Sequence, residues 1–262
     1  MEALEEDPHV DHHIGMVHRS GNVSSGDQKV LWNIVSKLGD HLNDSDKELL
    51  YSVFLEYTDD FTLHPDEVGH TADIKHHIDT GDAAPIHQKV NSITKKDAYL
   101  LPRVDDTLDT LGGSKIFSTL DLASGYWQVK VAEEDRPKTA FTTPEWLYEF
   151  KVMPFGLCNA PATFQRLMDR VLNDLIWTEC LVYYYYIVVI GKTFQEHVCH
   201  LGNVLLWLRQ AGLKLQTAKC NFCQPEVRFL GHIISAKGVA ADPDKTKVIS
   251  NWPTPTDKRH VH

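Results

Sequence analysis

The run LVYYYYIVVI, Leu181 to Ile190, sets ten residues of high β-propensity side by side with no charge and no proline. It is far shorter than the roughly eighteen apolar residues of a membrane-spanning helix, and left exposed it would be an aggregation hazard. We read Cys180 to Ile190 as two apolar strand halves about a tight turn at the tyrosines. A two-residue hairpin turn favours Asn, Asp or Gly at positive φ, so tyrosine carries a steric cost there.

Strand-like runs recur at Lys115–Leu120, three times between Trp127 and Met153, and at Arg228–Ser235. A further strand-like stretch covers Asp73–Ile86. Helical periodicity marks 27–38 (Val30, Leu31, Ile34, Val35), and Ser45 with Glu48 forms a capping box ahead of Leu49, Leu50, Val53, Phe54 and Tyr57. Val104, Leu108 and Leu111 predict a short helix closed by Gly112 and Gly113. Asn159 caps a strong amphipathic helix through Phe164, Leu167, Met168, Val171, Leu172 and Leu175, with Pro161 in the tolerated first turn. Thr193 and Glu196 form a second capping box before Val198, Leu201, Leu205 and Leu208, and Gly212 ends that helix. Asp105, Asp106, Asp109, His197 and His200 are expected on wet helix faces.

A formal net charge of −10 argues against a nucleic-acid partner, because neutralising phosphates takes Lys and Arg. The charge is unevenly spread, however. Residues 1–88 carry 5 basic and 18 acidic side chains, whereas 89–262 carry 21 and 18, a mildly basic balance of +3. Five cysteines, an odd number without a secretory signal, fit free thiols in a reducing compartment. Cys220, Cys223 and His232 offer only half of a zinc site; structural zinc needs four ligands and no second pair stands at finger-like spacing, so zinc is not expected. The expected location is intracellular, cytoplasmic or nuclear, with no membrane partner.

Three segments in order carry a family resemblance: FSTLDLASGYWQV (Phe117–Val129), KTAFTTPEWLYEFKVMPFGLCNAPATFQRLMDRVL (Lys138–Leu172) and the tyrosine run. Together they resemble the palm of the reverse transcriptase of Gypsy-type LTR retrotransposons. The resemblance covers roughly residues 43–259 and implies an α+β fold: a palm of three or four antiparallel strands backed by two helices, with a helical N-terminal arm and a truncated thumb. It skips at Gln88–Val90, where the family's fingers would be inserted. The implied organisation is a disordered leader over 1–27, a connector arm over 28–88, the palm over 89–235 and the start of a thumb over 236–262.

The family activity is RNA-directed DNA synthesis on a template-primer from deoxynucleoside triphosphates, with Mg²⁺ or Mn²⁺ as cofactor. Nucleotidyl transfer uses two cations roughly 4 Å apart, held by carboxylate oxygens. Asp121 matches the first of the family's three carboxylates. The family motif Tyr-x-Asp-Asp falls on Tyr183–Tyr186, so Tyr185 and Tyr186 stand where two aspartates belong. A phenol, with a pKa near 10, stays neutral and is a poor magnesium ligand, which implies a palm without catalysis. By resemblance the backbone at Leu122 and Ala123 faces the triphosphate, Tyr126 stacks under the sugar, and Phe155 and Gly156 floor the nucleotide pocket. A literal Tyr-x-Asp-Asp also occurs at Tyr57–Asp60, but it closes a helix and precedes the palm. Two other readings fit the same residues: a domesticated nucleic-acid- or protein-binding module, and an enzyme that borrows carboxylates from a partner chain. Self-association through exposed palm surface is also expected, worsened by the tyrosine hairpin.

Overall fold

The computed structural model describes residues 23–63, 67–81, 90–99 and 111–250. Two amphipathic helices come first, α1 (Ser25–Ser36) and α2 (Asp44–Glu56). Each has a side-chain cap, Ser24 accepting from the Asp27 amide and Asn43 from the Asp46 amide. Helix α1 thus begins inside the stretch expected to be a leader, the rest of which lies outside the described residues apart from Val23 and Ser24. Asn43 caps α2 two residues ahead of the expected Ser45. Next come a two-residue strand, β1 (Lys75–His76), and a single turn, α3 (Val90–Ile93). Residues 82–86 of the stretch expected as a strand lie outside the described residues, as do the skip at Gln88 and the helix around Val104 and Leu108, including Asp105, Asp106 and Asp109.

The central strand β2 (Ile116–Asp121) follows, then β3 (Lys130–Val131), β4 (Phe141–Thr142) and β5 (Leu147–Tyr148). These last three are the runs expected between Trp127 and Met153. They are short because Gly125–Gln128 and Glu133–Thr139 wind into 3₁₀ helices. The remaining elements are α4 (Ala160–Val171), β6 (Cys180–Tyr183), β7 (Tyr186–Gly191), α5 (Phe194–Gln210), β8 (Asn221–Gln224), β9 (Glu226–Phe229), β10 (His232–Ser235), β11 (Gly238–Ala241) and α6 (Pro243–Ser250). The Thr193–Glu196 capping box opens α5 as expected. The single strand expected over Arg228–Ser235 is instead a hairpin, because Leu230 and Gly231 turn at φ +49° and +81°.

An antiparallel sheet in the order β6-β7-β2-β8 lies at the centre. Successive side chains of a strand point to opposite faces, and here both faces are covered. Leu120, Val182, Ile187 and Val189 meet Phe164, Leu167 and Met168 of α4 and Val198, Leu201 and Leu205 of α5. Phe117, Leu181, Val188 and Ile190 meet Val227, Phe229 and Ile234 of the second sheet, ordered β11-β10-β9. Two-sided burial explains why the hairpin reads as an unbroken apolar run. Its strands are covered and only the tyrosine tip reaches the surface, with Tyr186 exposed; other exposed apolar residues include Phe141, Trp146, Leu147 and Tyr148 on β4–β5.

The N-terminal helices share the core of the sheet. Leu31, Val35, Leu50 and Phe54 belong to the same buried cluster as α4 and α5, and Phe54 meets Phe61 at 5.2 Å and Phe222 at 4.7 Å between ring centres. A second correction concerns His197, which is fully buried. Its Nε2 lies 2.7 Å from Ser118 Oγ, which also accepts the Cys223 amide at 2.9 Å. Gly191 lets the helix approach, since a Cβ there would come within 2.8 Å of His197 backbone. Burial pulls the His197 pKa down to about 4.

Candidate active site

Strand β2 ends at Asp121, and the ladder with β7 sets Asp121 directly opposite Tyr186. The aspartate is only 5% exposed. Its carbonyl accepts the Gln216 amide at 2.8 Å, its N–H reaches Cys220 Sγ at 3.5 Å, and Lys219 Nζ stands 3.9 Å from Oδ1. Burial raises the carboxyl pKa, and Lys219 opposes that shift. A distant, exposed lysine is a weak partner, so the protonated form gains ground.

Tyr183 pairs with Tyr186, which leaves Tyr184 and Tyr185 as the turn. The left-handed residue is Tyr184, at φ +54°, whereas Tyr185 and Tyr186 keep negative φ. The steric cost anticipated for the turn therefore falls on the residue just before Tyr185 and Tyr186. At about 1–2 kcal/mol it is smaller than the gain from the hairpin's buried Leu, Val and Ile, about 1.5–3 kcal/mol each. Helix α4 also holds the tip, since Gln165 Oε1 accepts the Tyr184 amide at 2.8 Å. Gln165 Nε2 donates to Asp169 at 2.8 Å, and the Tyr99 hydroxyl donates to the other Asp169 oxygen at 2.6 Å. Gln165 was not anticipated, although a Gln within the apolar stripe of α4 is the kind of signal that marks a buried polar tie.

An aromatic cluster fills the space beside Asp121. Tyr126 lies 5.5 Å from Phe155, 5.7 Å from Phe164 and 6.2 Å from Tyr185, and Tyr185 lies 4.7 Å from Tyr186. Gly125 makes room for this, because a Cβ there would stand 3.2 Å from both Phe164 and Tyr185. Gly156 takes φ +92°, and its carbonyl accepts from Asn91 of α3 at 2.5 Å. Tyr126 and Phe155 thus belong to the aromatic cluster that reaches Tyr186 opposite Asp121, and Gly156 follows Phe155 in the chain. Leu122 and Ala123 differ from expectation: their amides meet the carbonyls of Tyr185 at 3.4 Å and Lys214 at 2.9 Å, so the N–H groups are turned to protein rather than to a triphosphate. Phe155, Trp127 and Tyr186 form an exposed aromatic rim, at 64%, 42% and 41%.

The donor set fits a pair of divalent cations poorly. Asp121 is a single carboxylate biased toward its neutral form, and the Tyr186 phenol is raised further by burial, Tyr185 and Asp121. Among the described residues the one group of three metal-capable side chains is His77, Glu134 and Asp135, and Asp121 is not part of it. Burial pushes the Cys220 and Cys223 thiols up to about 12, away from the thiolate that zinc binds. In the literal Tyr57–Asp60 segment, Thr58–Asp60 forms a 3₁₀ turn after α2, with Asp60 bonded to Arg209.

The sequence profile described as reverse transcriptase (RNA-dependent DNA polymerase) matches residues 81–234. Over 175 residues the chain is 42% identical to the retrovirus-related Pol polyprotein from transposon 297 of Drosophila melanogaster, covering 67% of this chain and 16% of that protein. Over 168 residues it is 40% identical to the Pol polyprotein from transposon gypsy of the same species, covering 64% and 16%. The chain therefore spans about a sixth of the length of these relatives. The structure of the foamy viral protease-reverse transcriptase in complex with RNA/DNA hybrid aligns with a TM-score of 0.76 at 21% identity, over 87% of this chain and 38% of that one. The dRH form in complex with ds DNA aligns at 0.79 and 21% identity, over 89% and 50%. At such identity the likeness is one of fold.

Proposed function

The chain belongs to the reverse transcriptase (RNA-dependent DNA polymerase) family, and we propose that it is a retrotransposon Pol palm that has lost polymerase chemistry. The observation that carries this reading is the pairing of Asp121 with Tyr186 across β2 and β7. Two cations must share carboxylates to activate a primer hydroxyl and neutralise pyrophosphate, and one aspartate whose pKa burial raises, beside neutral phenols, is an inadequate cradle. Each factor of ten in rate is about 1.4 kcal/mol of transition-state stabilisation, so losing two ligands removes many such factors. The test is primer extension by the full chain on an RNA template with Mg²⁺ or Mn²⁺. We expect no incorporation above an Asp121→Ala control; incorporation that this substitution abolishes overturns the reading.

A second reading, a binding module on the palm, is favoured by the exposed rim of Trp127, Phe155 and Tyr186. Bases stack on such rings for about 1–3 kcal/mol each without any metal, and the relatives suggest nucleic acid as the partner. Fluorescence anisotropy of a single-stranded oligonucleotide in EDTA tests it. Trp127→Ala with Phe155→Ala should weaken binding about tenfold or more, and equal binding by this variant refutes the module.

A further inference from the structure

The 3₁₀ turn Thr58–Asp60 is where the N-terminal helices are pinned to the sheet. The Asp60 carbonyl accepts the Leu215 amide at 2.7 Å, and Thr62 returns two bonds to the Leu215 carbonyl at 2.8 and 2.9 Å. Thr217 Oγ1 adds a bond to the Thr62 carbonyl at 3.0 Å. The Asp60 side chain is packed into this seam at 2% exposure. From α5, Arg209 donates Nε to Asp60 Oδ1 at 3.2 Å and Nη2 to the Glu56 carbonyl at 2.6 Å, with its guanidinium 4.5 Å from the Tyr57 ring centre. Among the described residues, Asp60 Oδ2 is buried with no hydrogen-bond partner. Ionised, this carboxylate has one oxygen satisfied and the other stripped of water, which is costly.

We propose that Asp60 is a proton-operated latch between the N-terminal helices and α5, which tightens when Oδ2 is protonated and loosens when the carboxyl ionises. A proton on Oδ2 neutralises the orphaned oxygen and leaves Oδ1 to accept from Arg209. The charges facing Asp60 pull both ways. Arg209 and Lys214, the latter 3.8 Å from Glu67, favour the carboxylate, and Asp59 on its own segment opposes it. Arg209 also bonds the neighbouring Glu56 backbone carbonyl and lies over the Tyr57 ring. Burial outweighs the cations and raises the Asp60 pKa from 3.8 to about 7.

The sign follows from linkage. The docked arm binds this proton more tightly than the released arm does, so docking is strongest at low pH. It is lost progressively as pH rises from about 4 to about 7 and changes no further above that. Hydrogen exchange of the full chain reads this directly, as protection factors of α2 amides between pH 5.5 and 8.5. In the unaltered chain protection should fall by up to about tenfold per pH unit below pH 7 and then level off. Asp60→Asn, which mimics the neutral acid, should show no such slope. His76 and His197, whose burial weakens the whole fold on acidification, act on both chains and cancel in the difference. Equal slopes in the two chains overturn the latch. Should the variant fail to fold, the ¹³C shift of the Asp60 carboxyl in the unaltered chain decides: a midpoint near pH 7 supports the latch, and one below pH 5 overturns it.

Discussion

Tyr57–Asp60 and Tyr183–Tyr186 are two four-residue segments that both begin with tyrosine and both end against a strand-associated carboxylate or cation. The first finishes α2, winds into a 3₁₀ turn and sends Asp60 into a seam against Arg209. The second bends between β6 and β7 and sets Tyr186 opposite Asp121. The first has the side chains of a metal motif without the neighbouring strand that would make them converge. The second has the strand and the convergence with phenols in place of acids. What separates them is their relation to β2, because a two-metal site needs carboxylates from separate strands brought to one point.

The tie holding the second segment can be broken at Gln165. Gln165→Ala leaves the half-buried Tyr184 amide without its acceptor, and we expect a loss of about 1–3 kcal/mol in urea unfolding. A loss under about 0.5 kcal/mol would mean that the turn does not lean on α4. The chemical half of the comparison is sharpened by Tyr185→Asp with Tyr186→Asp, which returns two acids beside Asp121. We expect Mn²⁺ affinity to rise at least tenfold, about 1.4 kcal/mol, by electron paramagnetic titration. Unchanged affinity would show that position on the hairpin is not enough. The smallest effect belongs to Tyr184→Asn. Relief of the left-handed cost, about 1–2 kcal/mol, is largely offset by losing the edge-on contact with Tyr183 at 4.7 Å, worth about 0.5–1.5 kcal/mol. The melting temperature should therefore move by only a few degrees in either direction. A loss above 2 kcal/mol would assign the tyrosine a packing role that this balance omits.

Much of this was legible before folding. The cap at Thr193, the apolar stripes of α4 and α5 and the hairpin itself are local signals, with period and capping in adjacent residues. Asn159 stands at the start of α4 as expected but makes no capping bond there, because its side chain accepts the Asp97 amide and donates to the Lys95 carbonyl. The meeting of Asp121 with Tyr186 and of Tyr126 with Phe155 was legible through the order of three segments. Gln165, Gln128 and Asp60 were not. Gln128 is fully buried and donates to both Ala123 and Lys214 carbonyls, a role set by a partner 86 positions away. No periodicity reports a contact of that span.

By itself the sequence determined the alternation of apolar residues, the capping box at Thr193 and the four tyrosines at the hairpin turn, because these depend on residue identity and near-neighbour spacing. Only the tertiary structure decided that the N-terminal helices join the sheet's core through Phe54 and Phe222, that the steric cost of the turn falls on Tyr184, and that His197 is dry. It also decided that Asp60 is a stranded acid and that burial raises the pKa of Asp121. The physical reason is common to all of these: burial and partnership are properties of the whole packed chain, and a carboxylate's charge depends on how much water and how many cations the fold leaves beside it.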